Sequence, residues 1–116
     1  MVRRDTCEKA VVKESKISAE VEKTLKDIQS SMFKKAGQFL KANSTEAKTW
    51  PEFKKAINER KLVLSWFCDR PECEEAIKDE TTATSRCIPF GQKKGNNKCI
   101  KCGQKAETKA WFGKSY

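Results

Sequence analysis

CDRPEC at residues 68–73 and CIKC at residues 99–102 are two cysteine pairs that can each turn back and aim both sulfurs at one point. Four thiolates complete the tetrahedral shell of a structural zinc ion. Pro71 fixes φ in the first turn, and Gly103 permits the left-handed backbone that a tight metal-binding turn often needs. The spacing therefore predicts a zinc site whose ligands are Cys68, Cys73, Cys99 and Cys102.

The predicted zinc site is closed to substrate. The chain contains no histidine, so a zinc shell here is most simply all sulfur. Catalytic zinc keeps one position open for water or substrate, and four cysteines leave none. We expect a metal that stabilises structure. The alternative is that the cysteines are chance pairs or members of disulfides.

Composition indicates one small basic domain. The chain has 116 residues, of which 35% are charged, so a modest core would gain from a metal cross-link. The net charge of +9 favours an anionic partner such as nucleic acid, although a basic surface without a ligand is also compatible with it. Most of the excess lies in residues 91–116, where lysines would partly neutralise the thiolate site.

Six cysteines in a secreted chain would suggest three disulfides, but the N-terminal sequence favours a reducing compartment. The first residues lead into no apolar signal-peptide segment, and no stretch is apolar enough to span a membrane. We therefore expect a cytoplasmic protein that has no contact with a membrane. Cys7 and Cys87 then remain thiols, and Cys87 is predicted to be a small core residue in a strand.

A long helix is predicted from Ser18, which is a candidate N-cap, to Asn43. A shorter helix follows, because Thr49 and Glu52 have capping-box spacing and Pro51 is tolerated in a first turn. The apolar residues of the long helix recur at spacings of three and four; they are Val21, Leu25, Ile28, Met32, Ala36 and Phe39.

The remaining elements complete an α+β fold. Residues 61–67 predict a central strand with two apolar faces, and residues 84–90 and 107–112 predict further strands. Residues 74–80 predict a short helix, in which Asp79 and Glu80 read as a solvated face. The fold is expected to be a small mixed sheet with an N-terminal long helix and a four-cysteine zinc site. The chain shows no glycine-rich phosphate loop and no histidine base.

Several motifs together carry a family resemblance. They are LVLSWFCDRPEC at 62–73, CIPF at 87–90, KCIKCG at 98–103 and WFGKSY at 111–116. With them the chain resembles the C-terminal zinc-binding domain of class II prolyl-tRNA synthetases of the archaeal and eukaryotic type. That family places four zinc cysteines in this order and ends at a tyrosine. The resemblance assigns zinc to the same four cysteines, and assigns to Tyr116 a docking role toward the catalytic domain of the parent enzyme.

The resemblance also implies a domain organisation and an activity. Residues 1–17 would be a remnant of the end of the anticodon-binding domain, and residues 18–116 would be the zinc-binding domain. Cys7 stands where the family pattern has glycine. The parent, a homodimer, would activate proline with ATP, accompanied by magnesium, and attach it to tRNA(Pro). Its catalytic and anticodon-binding domains would be partners of these residues, which alone are expected to be inactive.

Two alternatives belong to other classes. A stand-alone zinc-ribbon-like nucleic-acid-binding module would account for the metal and the charge, but not for the long amphipathic helix or the terminal aromatic motif. A secreted protein would hold its six cysteines as disulfides.

Overall fold

The computed structural model describes residues 1–114, which form two compact units, one from Met1 to Leu40 and one from Lys41 onward. The first unit begins with a hairpin in which Val2 and Lys9 form an antiparallel bridge. The predicted domain boundary between residues 17 and 18 stays a prediction.

The hairpin turn offers a physical reason for the glycine that the resemblance leads us to expect at position 7. Cys7 adopts a φ of 61°, in the left-handed region that glycine enters without steric cost. Its backbone N–H donates to the Arg3 carbonyl at 2.9 Å, which closes the turn. The Arg3 guanidinium then bridges Asp5 at 2.9 Å and Asp27 at 2.5 Å. The cysteine is therefore accommodated in a conformation that favours glycine.

Helix α1 spans Ile17–Ala42 and confirms the predicted long helix. A 3-10 turn at Glu14–Lys16 leads directly into it, so Ser18 already lies inside the helix and the predicted N-cap is wrong. The structure describes every residue of α1, and none of them is buried. The apolar stripe that predicted the helix therefore has no core beneath it within the described unit.

Helix α2 spans Trp50–Asn58 and begins with the predicted capping box. The Thr49 hydroxyl accepts from the Glu52 N–H at 3.5 Å, and the Glu52 carboxylate accepts from the Thr49 N–H at 3.2 Å. These bonds satisfy two N–H groups that have no partner within the helix. Strand β1, Ser44–Glu46, precedes α2 and was not predicted.

The main sheet has the order β1-β2-β6-β3 and mixes parallel and antiparallel pairs. Strand β2, Leu62–Phe67, lies inside it, as its two apolar faces predict. Strand β3 spans Ala83–Cys87 and β6 spans Thr108–Lys114. Strands β4, Asn97–Lys98, and β5, Lys105–Ala106, form a separate ribbon. The structure is thus the predicted α+β fold with a small mixed sheet.

One face of β2 joins the core of the second unit. Phe112 is fully buried, and its ring meets those of Phe53 and Phe67 edge-on, with centroids 5.3 Å apart in both pairs. Ser65 is buried among them, and its hydroxyl donates to the Ala47 carbonyl at 3.2 Å. Burial of such aromatic side chains contributes on the order of 2–3 kcal/mol each.

Two predictions near the cysteines need correction. Helix α3 spans Pro71–Thr81 and so begins before residue 74, which places Cys73 in its first turn. Cys87 is exposed, so its predicted core position is wrong. The register between β3 and β6 shifts between Ser85 and Cys87, and this irregularity turns Cys87 away from the alternation that would bury it.

Candidate metal centre

The structure brings the four predicted cysteines together. Their sulfurs all lie within 4.8 Å of one another, with Cys73 and Cys99 3.6 Å apart and Cys68 and Cys102 also 3.6 Å apart. Sulfur ligands of tetrahedral zinc are separated by about 3.8 Å, given Zn–S bonds of about 2.3 Å. A disulfide needs about 2.05 Å, and all four cysteines are thiols. The cluster has the donor set and the spacing to hold a metal ion.

The first pair is positioned by the junction between β2 and α3. Cys68 follows the last residue of β2, and Asp69 then reverses the chain with a φ of 55°. Pro71 opens α3, where the fixed φ of proline suits the first turn. The Cys73 N–H donates to the Arg70 carbonyl at 3.1 Å, so the second sulfur is carried by a helical turn.

The second pair occupies the turn between β4 and β5. The Cys99 N–H donates to the Gln104 carbonyl at 2.7 Å, and the Gly103 N–H donates to the Cys99 carbonyl at 3.0 Å. Gly103 has a φ of 70° and open space where a Cβ would stand, so the turn requires glycine for its backbone conformation. The Ile100 N–H donates to the Trp66 carbonyl at 2.9 Å, which fastens this turn to the end of β2.

The sulfurs differ in their electrostatic surroundings. Burial raises the pKa of the Cys73 thiol, and the nearby Cys99 sulfur raises it further. Burial also raises the pKa of Cys68. Burial acts the same way on Cys99, but backbone N–H groups of Cys102, Lys101 and Cys68 outweigh it and lower the pKa of Cys99 to about 7. A metal ion would deprotonate all four thiols on binding.

A cluster around Glu80 joins this centre to both helices of the second unit. Lys101, which lies between two of the cysteines, forms an ion pair with Glu80 and places its Nζ 4.4 Å from the ring centroid of Trp50. The Trp50 indole N–H donates to Glu80 at 3.1 Å, and Lys54 pairs with the same carboxylate at 3.2 Å. Glu80, which belongs to α3, thus links this helix to α2 and to the β4–β5 turn.

The surroundings of Glu80 change its titration. The ion pair with Lys101, then the hydrogen bond from Trp50 and the contact with Lys54, lower the pKa of Glu80 to about 2. Sequence reasoning missed this cluster and read Glu80 as part of a solvated helix face. No local pattern could have identified it, because its members come from three separate elements.

Many of the lysines near the second cysteine pair have acidic partners. Lys94 and Lys105 both pair with Glu107, at 3.5 and 2.8 Å, and Lys109 pairs with Glu46 at 2.6 Å. Exposed ion pairs contribute about 0–1 kcal/mol each, so their effect on stability is small. They do reduce the charge available to nucleic acid, which weakens the inference drawn from net charge alone.

The basic loop at residues 91–96, which precedes β4, is attached to β6. The Gln92 side-chain amide donates to the Lys109 carbonyl at 2.8 Å and accepts from the Lys109 N–H at 2.9 Å, so it acts as a strand partner. Gly95 lies so close to Trp66 that a Cβ there would stand 2.4 Å from the indole ring.

Two other predictions concern the C-terminal residue and the membrane. Tyr116, assigned a docking role, lies outside the described residues. None of the helices within residues 1–114 is long and apolar enough to cross a membrane.

Comparison with known proteins gives a consistent result. A family model described as "Prolyl-tRNA synthetase, C-terminal" matches residues 50–116. A proline–tRNA ligase of Oceanobacillus iheyensis is 37% identical over 116 residues, and one of Agathobacter rectalis is 39% identical over 119 residues. All of this chain is covered in both alignments, but only 24% and 25% of those relatives. The chain therefore spans about a quarter of the length of the curated relatives it matches.

Proposed function

Because the chain belongs to the prolyl-tRNA synthetase C-terminal family, we propose that it is the zinc-stabilised C-terminal domain of an enzyme that joins proline to tRNA. The observation that carries this proposal is the position of the four sulfurs, within 4.8 Å of one another at the meeting point of β2, α3 and the β4–β5 turn. The family match covers all of these elements.

In this proposal zinc has a structural role. Cys68 and Cys73 would hold it from the β2–α3 junction, and Cys99 and Cys102 from the β4–β5 turn. Four sulfur ligands leave no position for water or substrate, so the ion would cross-link the chain and carry out no chemistry. The β4–β5 ribbon has only two residues per strand, so we expect it to be unstable without such a cross-link.

The catalytic steps would take place elsewhere in the enzyme. We propose that proline, ATP with magnesium, and tRNA(Pro) bind to the catalytic and anticodon-binding domains of a homodimeric parent, and that these residues alone do not activate proline. The length of the relatives, about four times the span matched here, supports this division. In the parent, the terminal Tyr116 would dock toward the catalytic domain.

Metal analysis tests the proposed site. Protein purified under reducing conditions should carry one zinc ion per chain, and Cys99→Ser should lose most of it. Cys7→Ser is the matched control, because Cys7 lies in the N-terminal hairpin turn outside the cluster. Metal-free protein with an intact fold, or equal zinc loss in both variants, would contradict the proposal.

The role of Tyr116 is testable in the parent enzyme. Deleting this residue should lower aminoacylation while leaving the zinc content unchanged, because it lies outside the cysteine cluster in the sequence. Unaltered aminoacylation would show that the terminus has no docking role.

A further inference from the structure

The cysteine cluster has an exposed half and a buried half. Cys102 is exposed and Cys68 is half-buried, whereas Cys73 and Cys99 are only 7% and 3% exposed. Within each half the two sulfurs are 3.6 Å apart, and each pair joins residues 68–73 to residues 99–102. The halves therefore share one geometry but differ in their access to solutes.

We infer that Cys68 and Cys102 form an oxidative modification site, at which a hydroperoxide converts the two thiolates into a disulfide and thereby releases the metal. This inference rests on the proposed zinc site. The sulfurs need to approach by about 1.5 Å to reach bonding distance. Access and nucleophilicity govern which thiolates react first, and metal-bound sulfur is already a thiolate, so access decides between the halves.

The backbone that carries the two halves also differs. Cys68 and Cys102 both lie outside the helices and strands, Cys68 between β2 and α3 and Cys102 in the β4–β5 turn. Cys73 is held in the first turn of α3 by the bond from its N–H to the Arg70 carbonyl. The exposed pair can therefore close with less disturbance of the fold than the buried pair.

The chemical steps balance. The Cys102 thiolate attacks the nearer oxygen of the hydroperoxide, the O–O bond breaks, and the farther oxygen leaves as hydroxide or alkoxide. This yields a sulfenic acid on Cys102. The Cys68 thiolate then attacks the Cys102 sulfur, the S–S bond forms, the S–O bond breaks and hydroxide leaves. The two thiolates give up two electrons in total, which reduce the hydroperoxide.

Oxidation at this pair would exchange one cross-link for another. Two remaining thiolates, Cys73 and Cys99, are too few to retain zinc. The disulfide would still join the end of β2 to the β4–β5 turn, because Cys68 directly follows β2 and Cys102 lies in that turn. A thiol reductant together with zinc should then restore the original site, which makes the modification reversible.

The test uses the zinc-loaded 116-residue protein and a background variant, Cys7→Ser/Cys87→Ser, that lacks the other two thiols. Zinc content is measured first, and stoichiometric hydrogen peroxide is then added while a colorimetric chelator reports zinc release. Remaining thiols are alkylated and the digest is mapped by mass spectrometry. We expect zinc release to parallel the loss of two hydrogens, with Cys68 linked to Cys102 and alkyl groups on Cys73 and Cys99.

Four results would overturn the inference: a first disulfide between Cys73 and Cys99, a first disulfide within one segment, irreversible sulfinic acid on Cys102, or slower zinc release in the background variant. The last would show that Cys7 or Cys87 is the primary target. Protein that carries no zinc before oxidation would instead contradict the proposed function. Zinc-loaded protein that oxidises at another pair contradicts only this inference.

Discussion

In the unit from Met1 to Leu40 most large apolar side chains are exposed and none is buried, whereas the unit from Lys41 onward buries a core. Helices α1 and α2 make the difference plain. Both have an apolar face, yet α2 buries Phe53, Ala56 and Ile57, and α1, described throughout, buries none of its residues. Helical periodicity of the apolar residues shows that a helix has an apolar face, but the rest of the fold decides whether other elements bury that face.

The two units should therefore respond very differently to metal removal. Chelation should lower amide protection in the β4–β5 ribbon, in the first turn of α3 and at the end of β2, because the cysteines are their shared cross-link. Structural zinc contributes on the order of 10–16 kcal/mol in peptides that fold only with metal, and less is expected here because α2 and the main sheet have a core of their own. Protection in α1 should not change.

Hydrogen exchange with and without chelator measures this difference by region. Re-addition of zinc is the control, since it should restore protection in the second unit only. Equal loss of protection in both units would mean that the metal does not act locally.

The second comparison concerns two phenylalanines. Phe112→Ala should lower the free energy of unfolding by about 3–5 kcal/mol, because Phe112 is fully buried between Phe53 and Phe67. Phe33→Ala should change it by less than about 0.5 kcal/mol, because Phe33 in α1 is 76% exposed. Denaturant unfolding of both variants checks the contrast. A comparable loss in Phe33→Ala would show that α1 is covered in solution.

The third comparison concerns the two helix starts. Thr49→Ala should cost about 1 kcal/mol, because it removes the hydroxyl that accepts from the Glu52 N–H. Ser18→Ala should cost nothing, and could add a few tenths of a kcal/mol of stability, because Ser18 lies inside the helical segment and alanine has the higher helix propensity. Thermal unfolding of the two variants measures both effects. A larger loss of stability in Ser18→Ala than in Thr49→Ala would show that Ser18 is the N-cap of α1.

Much of the fold followed from signals that are local in sequence. The period of α1, the capping box at Thr49 and Glu52, the apolar run of β2 and the cysteine spacing each lie within a short segment. The family resemblance added a domain identity that no single segment carries, and the family match bears it out.

The missed features depend on contacts between distant segments. Strands β1, β4 and β5 have two or three residues each, too few to show an alternating pattern, and they exist because a partner strand is present. Cys87 was assigned to the core because a regular strand would bury it, but the register shift beside Ser85 removes that regularity. The Glu80 cluster joins residues from three elements, each of which is unremarkable in sequence.

The smallest expected effect is electrostatic and concerns Glu80. Lys101, Trp50 and Lys54 lower its pKa from 4.5 to about 2, which means that the folded state favours the ionised carboxylate. The stabilisation is therefore fully present above the unfolded pKa and is lost as pH falls through 4.5 toward about 2. The difference in unfolding free energy between the protein and Glu80→Gln should be constant from neutral pH to about pH 5, and should shrink below that.

Glu75→Gln is the matched control, because Glu75 is exposed on the same helix and takes no part in the Glu80 cluster. Acid also protonates the cysteines and releases metal, but this loss is common to both variants and cancels in the comparison. A Glu80→Gln difference that does not shrink as pH falls would mean that the folded state does not favour the ionised carboxylate. The cluster would then be an exposed group of charges that forms no link between α2, α3 and the cysteine turn.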